Sequence, residues 1–143
     1  LKVEELIEDC DIFIAAAAVS DFKPKEIYKN KIKKNETEKH LNLKMDKNSD
    51  ILKVISEKNL NLKTVGFAAE TENLLSNAKK KLSQKKLDLI VANDVSNKDI
   101  GFDSDENEVT LITKKEQKKI KKASKKIVSK KIVEFIASKV VND

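Results

Sequence analysis

With 143 residues, 39% hydrophobic and 38% charged, the chain can bury one sizeable core, and its apolar residues cluster too periodically for a disordered segment. All 30 basic residues are lysine, and against 24 acidic ones they leave a formal charge of +6, which suits polyanionic ligands but equally describes solvated faces. A lone cysteine, Cys10, excludes an internal disulfide, and no apolar run approaches the ~18 residues of a membrane span, so a cytoplasmic protein without membrane contact is expected.

Residues 2–10 read as the end of a helix, entered at Leu1, so the chain is expected to be a fragment whose upstream part lies elsewhere. Cys10 closes an apolar run with Val3, Leu6 and Ile7 and is expected to be a small buried hydrophobe. Asp11 to Val19 is a near-continuous apolar run, the signature of a buried parallel strand, ending in Ala17-Ala18-Val19-Ser20-Asp21. Residues 20–40 hold the only proline, Pro24, and many lysines, too polar for core and too long for a plain connection, which predicts a functional flap. Leu41 to Met45 alternates and predicts a half-exposed strand, after which Ser49 or Asp50 caps a helix to about Asn59 with Ile51, Leu52 and Ile55 inward.

Lys63 to Ala68 is the next predicted strand. Thr71 then caps a helix to Gln84, with Glu72 in its first turn and Leu74, Leu75, Ala78 and Leu82 as its buried stripe. Leu87 to Ala92 follows as a third core strand, so the middle reads strand–helix–strand–helix–strand, the pattern of a parallel sheet. Glu108–Thr113 and Lys118–Lys122 form a hairpin, and Ser124 caps a last helix carrying Val128, Ile132, Phe135, Ile136 and Val140 at helical spacing. No repeat or linker divides residues 1–143, and a single domain is expected.

Small and polar residues sit where hydrophobic strands end, at Gly66-Phe67-Ala68-Ala69-Glu70-Thr71 and at Ala92-Asn93-Asp94-Val95-Ser96. In a parallel sheet that edge is the ligand crevice, and small residues would let a ligand approach the backbone. Asp21 followed by Lys31-Ile32-Lys33-Lys34 supplies a hard oxygen ligand and cations for phosphate, although a solvated loop has the same composition. Phe67 can serve as core or pack on a base or ribose. Lys81 and Lys85, four apart, share a helix face and repel unless an anion or carboxylate lies near, so surface solvation and ligand binding both stay open. Asn93 can bond a ligand or close a turn. With one histidine, His40, and no Cys/His cluster, no zinc site or nucleophilic triad can be built, and any catalysis must rest on positioning and electrostatics.

The blocks AAAVSDFKPKEIYKNKIKK, LNLKMDKNSDIL, VGFAAET, DLIVANDVS and GFDSDENEVTLI, in this order over essentially the whole chain, resemble the bacterial phosphopantothenoylcysteine synthetase domain. That domain is usually the carboxyl-terminal half of a bifunctional coenzyme A biosynthesis protein. The resemblance implies an α/β, Rossmann-like, mainly parallel sheet flanked by helices, with a small antiparallel β-extension and the amino-terminal part of the fold absent. It also implies a ligase that joins 4′-phosphopantothenate to cysteine through an acyl-cytidylate made from CTP. Mg2+ would accompany CTP, and FMN would be present only if a decarboxylase domain precedes this one.

Carried onto this sequence, the resemblance makes Asp21 a nucleotide and metal residue and Lys31 the flap lysine important for turnover. It places Ala15, Ala16, Ala17, Ser49, Asp50, Ile51, Leu52, Phe67, Lys81 and Lys85 against the nucleotide and favours function for the Lys81–Lys85 pair; Asn93 remains a substrate-side candidate. Ser49 stands where the family usually has proline, and Lys23 where arginine is frequent, which keeps the charge and loses the bidentate fork. The implied homodimer would use small antiparallel strands, with Leu41–Met45 and the hairpin Glu108–Lys122 as candidates. Two rivals are a noncatalytic nucleotide-binding or regulatory subunit of the same fold and a nucleic-acid-binding module built on Lys114–Lys131. Aromatics at 4%, none interleaved with those lysines, argue against nucleic acid as a partner.

Overall fold

Leu89, Ile90, Val91 and Ala92 are each at most 1% exposed. Successive side chains of a strand point to opposite faces, so four such residues in a row require cover on both sides. The computed structural model, which describes residues 2–33, 40–58, 61–95 and 104–141, supplies that cover. The elements run α1 (Lys2–Leu6), β1 (Ile12–Ala15), β2 (Phe22–Pro24), β3 (Met45–Lys47), α2 (Ile51–Ser56), β4 (Lys63–Glu70), α3 (Leu74–Gln84), β5 (Leu89–Asp94), β6 (Glu106–Ile112), β7 (Gln117–Ser124) and α4 (Lys125–Lys139). They fall into two compact units, one of residues 1–16 and 51–143, the other of residues 17–50.

The larger unit is a five-stranded sheet in the order β1-β4-β5-β6-β7. β1 with β4 and β4 with β5 are parallel, whereas β5 with β6 and β6 with β7 are antiparallel, so only β6 runs against the other four. On one face Val65, Leu89, Val91, Val109, Leu111 and Ile120 pack against Val128, Ile132, Phe135, Ile136 and Val140 of the α4 segment. On the other, Ala68, Ile90, Ala92 and Ile112 pack with Ala78 and Leu82 of α3, with Leu87, and with the partly buried Leu52 and Leu74. A third cluster joins Ile7, Ile55 and Leu62 to Val3, Phe13 and Ile51, seating α1 and α2 beside β1.

Local chemistry fixes the ends of these elements. Ser124 caps α4 by accepting the Ile127 N–H at 3.4 Å. α3 closes without a glycine: Lys86 takes a left-handed φ of 52°, its N–H donates to the Ser83 carbonyl at 3.2 Å, and the Leu87 N–H reaches back to Leu82 at 2.9 Å. This pair of bonds is a Schellman ending, and Leu87 and Leu82 complete it by sharing one apolar cluster. Below the sheet ends, the Asp88 carboxylate accepts the backbone N–H of Thr64 at 2.8 Å and its hydroxyl at 3.2 Å.

The parallel strand–helix–strand pattern, the inward set Ile51, Leu52 and Ile55, and the buried stripe of α4 all match expectation. Other boundaries differ. β1 is four residues long, and Ile14 is exposed because β1 pairs with β4 on one side only among the described residues. Cys10 is exposed rather than buried, past the end of α1, where its thiol donates to the Leu6 carbonyl at 3.3 Å. β4 runs on to Glu70, so α3 starts after Asn73 in a left-handed turn; Thr71 and Glu72 belong to that turn, and Leu75 points to solvent. The strand expected at Leu41–Met45 begins only at Met45, while Asn59, the expected end of α2, lies outside the described residues. The hairpin does not stand apart from the parallel strands: β6 pairs with β5 and buries Val109, Leu111 and Ile112, so it is part of the main sheet.

The smaller unit is an antiparallel pair of three-residue strands, β2 and β3, in the register Phe22↔Lys47, Lys23↔Asp46 and Pro24↔Met45. None of its described residues is buried, and Asn48 alone is partly so.

Two substitutions on α4 test this account. Phe135→Ala should cost about 3–5 kcal/mol, whereas Val133→Ala on the exposed side of the same helix should stay within about 0.5 kcal/mol, both read by urea denaturation.

Candidate functional site

β1, β4 and β5 present their carboxyl ends along one edge, with Ala15 beside Gly66, Ala69 beside Asn93 and Glu70 beside Asp94. The ladder continues past the strand, where the Val95 N–H donates to the Glu70 carbonyl at 3.0 Å. Alternation then sorts the side chains. Ala68 enters the α3 cluster, while Phe67 and Ala69, on the alternate positions of β4, are exposed. Gly66 has a role other than admitting a ligand. A Cβ there would lie 2.7 Å from Leu52 Cδ2 and 2.9 Å from Leu87 Cδ1, so its small size lets α2 and the end of α3 close on the sheet. Leu52 and Ile51 are likewise occupied in packing, which leaves their backbone as the part available to a ligand.

Glu70 is a residue of this edge that residue type and spacing alone do not single out. Its Oε1 lies 2.6 Å from the Lys81 Nζ, and its Oε2 accepts a hydrogen bond from Asn77 Nδ2 at 3.1 Å. Asn77 also donates to the Glu72 carbonyl at 3.1 Å and so stitches α3 to the turn that precedes it. This is the carboxylate that the Lys81–Lys85 pair called for. The signal was available: if β4 extends to Glu70, that residue falls on the α3 side, and residues 77 and 81, one turn apart, face it. Lys85 sits one turn beyond Lys81, its N–H bonded to the Lys81 carbonyl at 3.0 Å.

Asn93 stands at the carboxyl end of β5, between Ala69 on β4 and Val109 on β6. Its Oδ1 is buried and accepts no hydrogen bond among the described residues. A carbonyl so placed can accept a hydrogen bond from a ligand donor or from water.

Ala17, Asp21, Lys31, Ser49 and Asp50 belong to the smaller unit. Ser20 folds its hydroxyl onto Phe22, donating to the carbonyl at 2.8 Å and accepting the N–H at 3.3 Å. Asn48 ties this turn to the segment before α2: its N–H donates to the Asp21 carbonyl and its Nδ2 to the Ser20 carbonyl, each at 2.8 Å. Within this unit Asp21 is thereby held near the Ser49–Asp50 stretch through the backbone of Asn48, a second residue that sequence reasoning did not single out. Lys31 is exposed in an irregular segment, and Lys34 lies outside the described residues. Ala15, Ala16, Ile51, Leu52, Phe67, Lys81, Lys85 and Asn93 belong to the larger unit. Among the described residues no three His, Cys, Asp or Glu side chains form a metal cluster, and Asp21 is an exposed single carboxylate. No helix among those residues is long and apolar enough to cross a membrane.

The family model described as the DNA/pantothenate metabolism flavoprotein C-terminal domain matches residues 1–140. The chain is 42% identical over 129 residues to a coenzyme A biosynthesis bifunctional protein CoaBC of Vibrio vulnificus (strain CMCP6), covering 90% of this chain and 32% of that protein. It is 45% identical over 129 residues to the protein of the same name from Bacillus subtilis (strain 168), covering 90% and 31%. It thus spans about a third of the length of these curated relatives. The crystal structure of the C-terminal domain of a CoaBC protein superposes with a TM-score of 0.76 at 29% identity, over 99% of this chain and 61% of that one. The DNA/pantothenate metabolism flavoprotein of Streptococcus pneumoniae superposes at 0.70 with 21% identity, over 99% and 66%, and shares the fold.

Because Phe67 is 42% exposed at the strand ends, Phe67→Ala should cost less than half of what a buried phenylalanine does, under about 1.5 kcal/mol in urea denaturation.

Proposed function

The chain belongs to the DNA/pantothenate metabolism flavoprotein C-terminal domain family, and from that premise we propose that it carries the phosphopantothenate–cysteine ligase step of coenzyme A biosynthesis. The observation that supports this reading most directly is a lysine at the carboxyl edge of the parallel strands: Lys81, drawn to Glu70 at the end of β4. A strand-end crevice that takes a triphosphate needs cations there, and a lysine about 4 Å from a phosphate charge gains on the order of 4 kcal/mol at an effective dielectric of 20.

In the proposed reaction a carboxylate oxygen of 4′-phosphopantothenate attacks the α-phosphorus of CTP. The bond from that phosphorus to the bridging oxygen breaks, pyrophosphate leaves, and an acyl-cytidylate remains. The amine of cysteine then attacks the acyl carbon, loses a proton, and expels CMP as the amide forms. Both nucleophiles come from substrates, so the protein's task is to orient them and offset phosphate charge. Lys31, Lys81 and Lys85 fill the second role. The family resemblance assigns Ala15, Ala16, Ala17 and the backbone of Ser49–Leu52 to the nucleotide, Phe67 offers a ring to base or ribose, and Asn93 offers a carbonyl that no described residue occupies. Asp21 suits Mg2+, which typically takes one or two carboxylates and completes its shell with substrate phosphates and water. Bound there, the ion would supply charge neutralisation of the triphosphate.

A homodimer forms part of the proposal. Its support is the smaller unit, where Leu41, Leu43 and Met45 expose apolar side chains that no described residue of that unit covers.

The test is pyrophosphate release by the natural gene product carrying this chain, given CTP and 4′-phosphopantothenate without cysteine. Release should depend on phosphopantothenate and fall about 10²-fold or more in Lys31→Gln, with ATP in place of CTP reading base preference. No release with either nucleotide from folded protein would move the assignment to a noncatalytic nucleotide-binding subunit.

A further inference from the structure

A carboxylate at the carboxyl edge of a parallel sheet is a poor neighbour for a triphosphate. Plain electrostatics would have Glu70 weaken polyanion binding there. Yet Glu70 is built in: its side chain is 13% exposed, the least of the acidic partners in the described ion pairs, and both of its oxygens are engaged. The other ion pairs sit on acids that are 27% to 63% exposed and read as ordinary surface pairs.

We propose that Glu70 is a positioning residue that anchors the Lys81 ammonium at the strand ends, with Asn77 holding the opposite carboxylate oxygen so that the anchor itself cannot turn. The assignment rests on the nucleotide reading above and deepens it. A free lysine samples many rotamers and loses that freedom when it meets a ligand. Lys81 is 45% exposed, and a carboxylate fixed on a strand 2.6 Å from its Nζ leaves it less of that freedom to lose. An ammonium has three donors, and one is spent on Glu70, leaving two for phosphate oxygens. Asn77 and Lys81 lie one helical turn apart on α3, so helix and strand together set the direction of the Nζ. Lysine here does by preorganisation what a rigid guanidinium would do by its own geometry, in a chain with no arginine.

The anchor and its electrostatic alternative predict opposite signs. Glu70→Gln adds one positive charge to the site, so a bystander carboxylate would give tighter nucleotide binding on removal. An anchor gives weaker binding: in the natural gene product the KM for CTP should rise about tenfold, with kcat changed less than about twofold. In a Lys81→Met background the same Glu70→Gln change should have no further effect on KM, since the group it positions is gone. Asn77→Ala, which frees one carboxylate oxygen while leaving the ion pair, should raise KM in the same direction by a smaller factor. A KM that is unchanged or lower in Glu70→Gln overturns the assignment. So does an equal loss with and without Lys81, which would make Glu70 a prop of the fold. Wild-type protein that neither binds nor turns over a nucleotide overturns the functional reading and this assignment together, and the unmutated control separates that failure from the other two.

Discussion

The two-sided burial of β5 is the constraint on which the larger unit depends. Leu89 and Val91 need α4, Ile90 and Ala92 need α3, and neither helix can be removed without stranding half the strand in water. Once β5 is sandwiched, its parallel partner β4 is held in register from Val65↔Leu89 to Glu70↔Asp94. That register decides which residues reach the ligand edge. The antiparallel β6 then closes the far side of β5 with Val109, Leu111 and Ile112. Chemistry at the strand ends is thus an outcome of packing in the strand middles.

Much of this was legible in the chain. Apolar periodicity in α4, the continuous run of β5 and the alternation of strand and helix through the middle depend on local spacing, which a sequence displays directly. What stayed hidden depends on juxtaposition. Polar Glu70 carries no strand signal, so the sequence alone ends β4 at Ala68 and does not aim the Glu70 carboxylate at α3. The start of α3 is hidden for the same reason, since the apparent cap at Thr71 lies in a turn completed by a left-handed Asn73. The hairpin was legible as a hairpin, but its membership in the main sheet follows only from the need to cover β5. In Leu41–Met45 the alternation was real and carried no information, because there is no buried face for it to match.

The site divides along the same line. Lysines 31, 81 and 85 could be identified as candidate cations, whereas the partner that gives Lys81 a direction lies eleven residues away and is found only through the contact of sheet with helix. Asn48 was missed because its contacts are to the carbonyls of Ser20 and Asp21, which lie 28 and 27 positions away in sequence and leave no mark on residue type. Gly66 and Asn93 show the converse. Both were marked by their position at strand ends, yet Gly66 serves the closure of Leu52 and Leu87, while Asn93 keeps a buried oxygen that the described residues leave unpaired.

The near-absence of burial among the described residues between Ala17 and Asp50 changes how substitutions there are to be read. In β4 or β5 a harmful replacement reports first on packing, and any effect on a ligand must be separated from the loss of fold. None of the described residues of the smaller unit is buried, so tolerance there should be broad and its exceptions informative. A saturation scan of that segment would yield a map of ligand and partner contacts with little background from stability, and the few intolerant positions would delimit the working surface without any knowledge of what binds it.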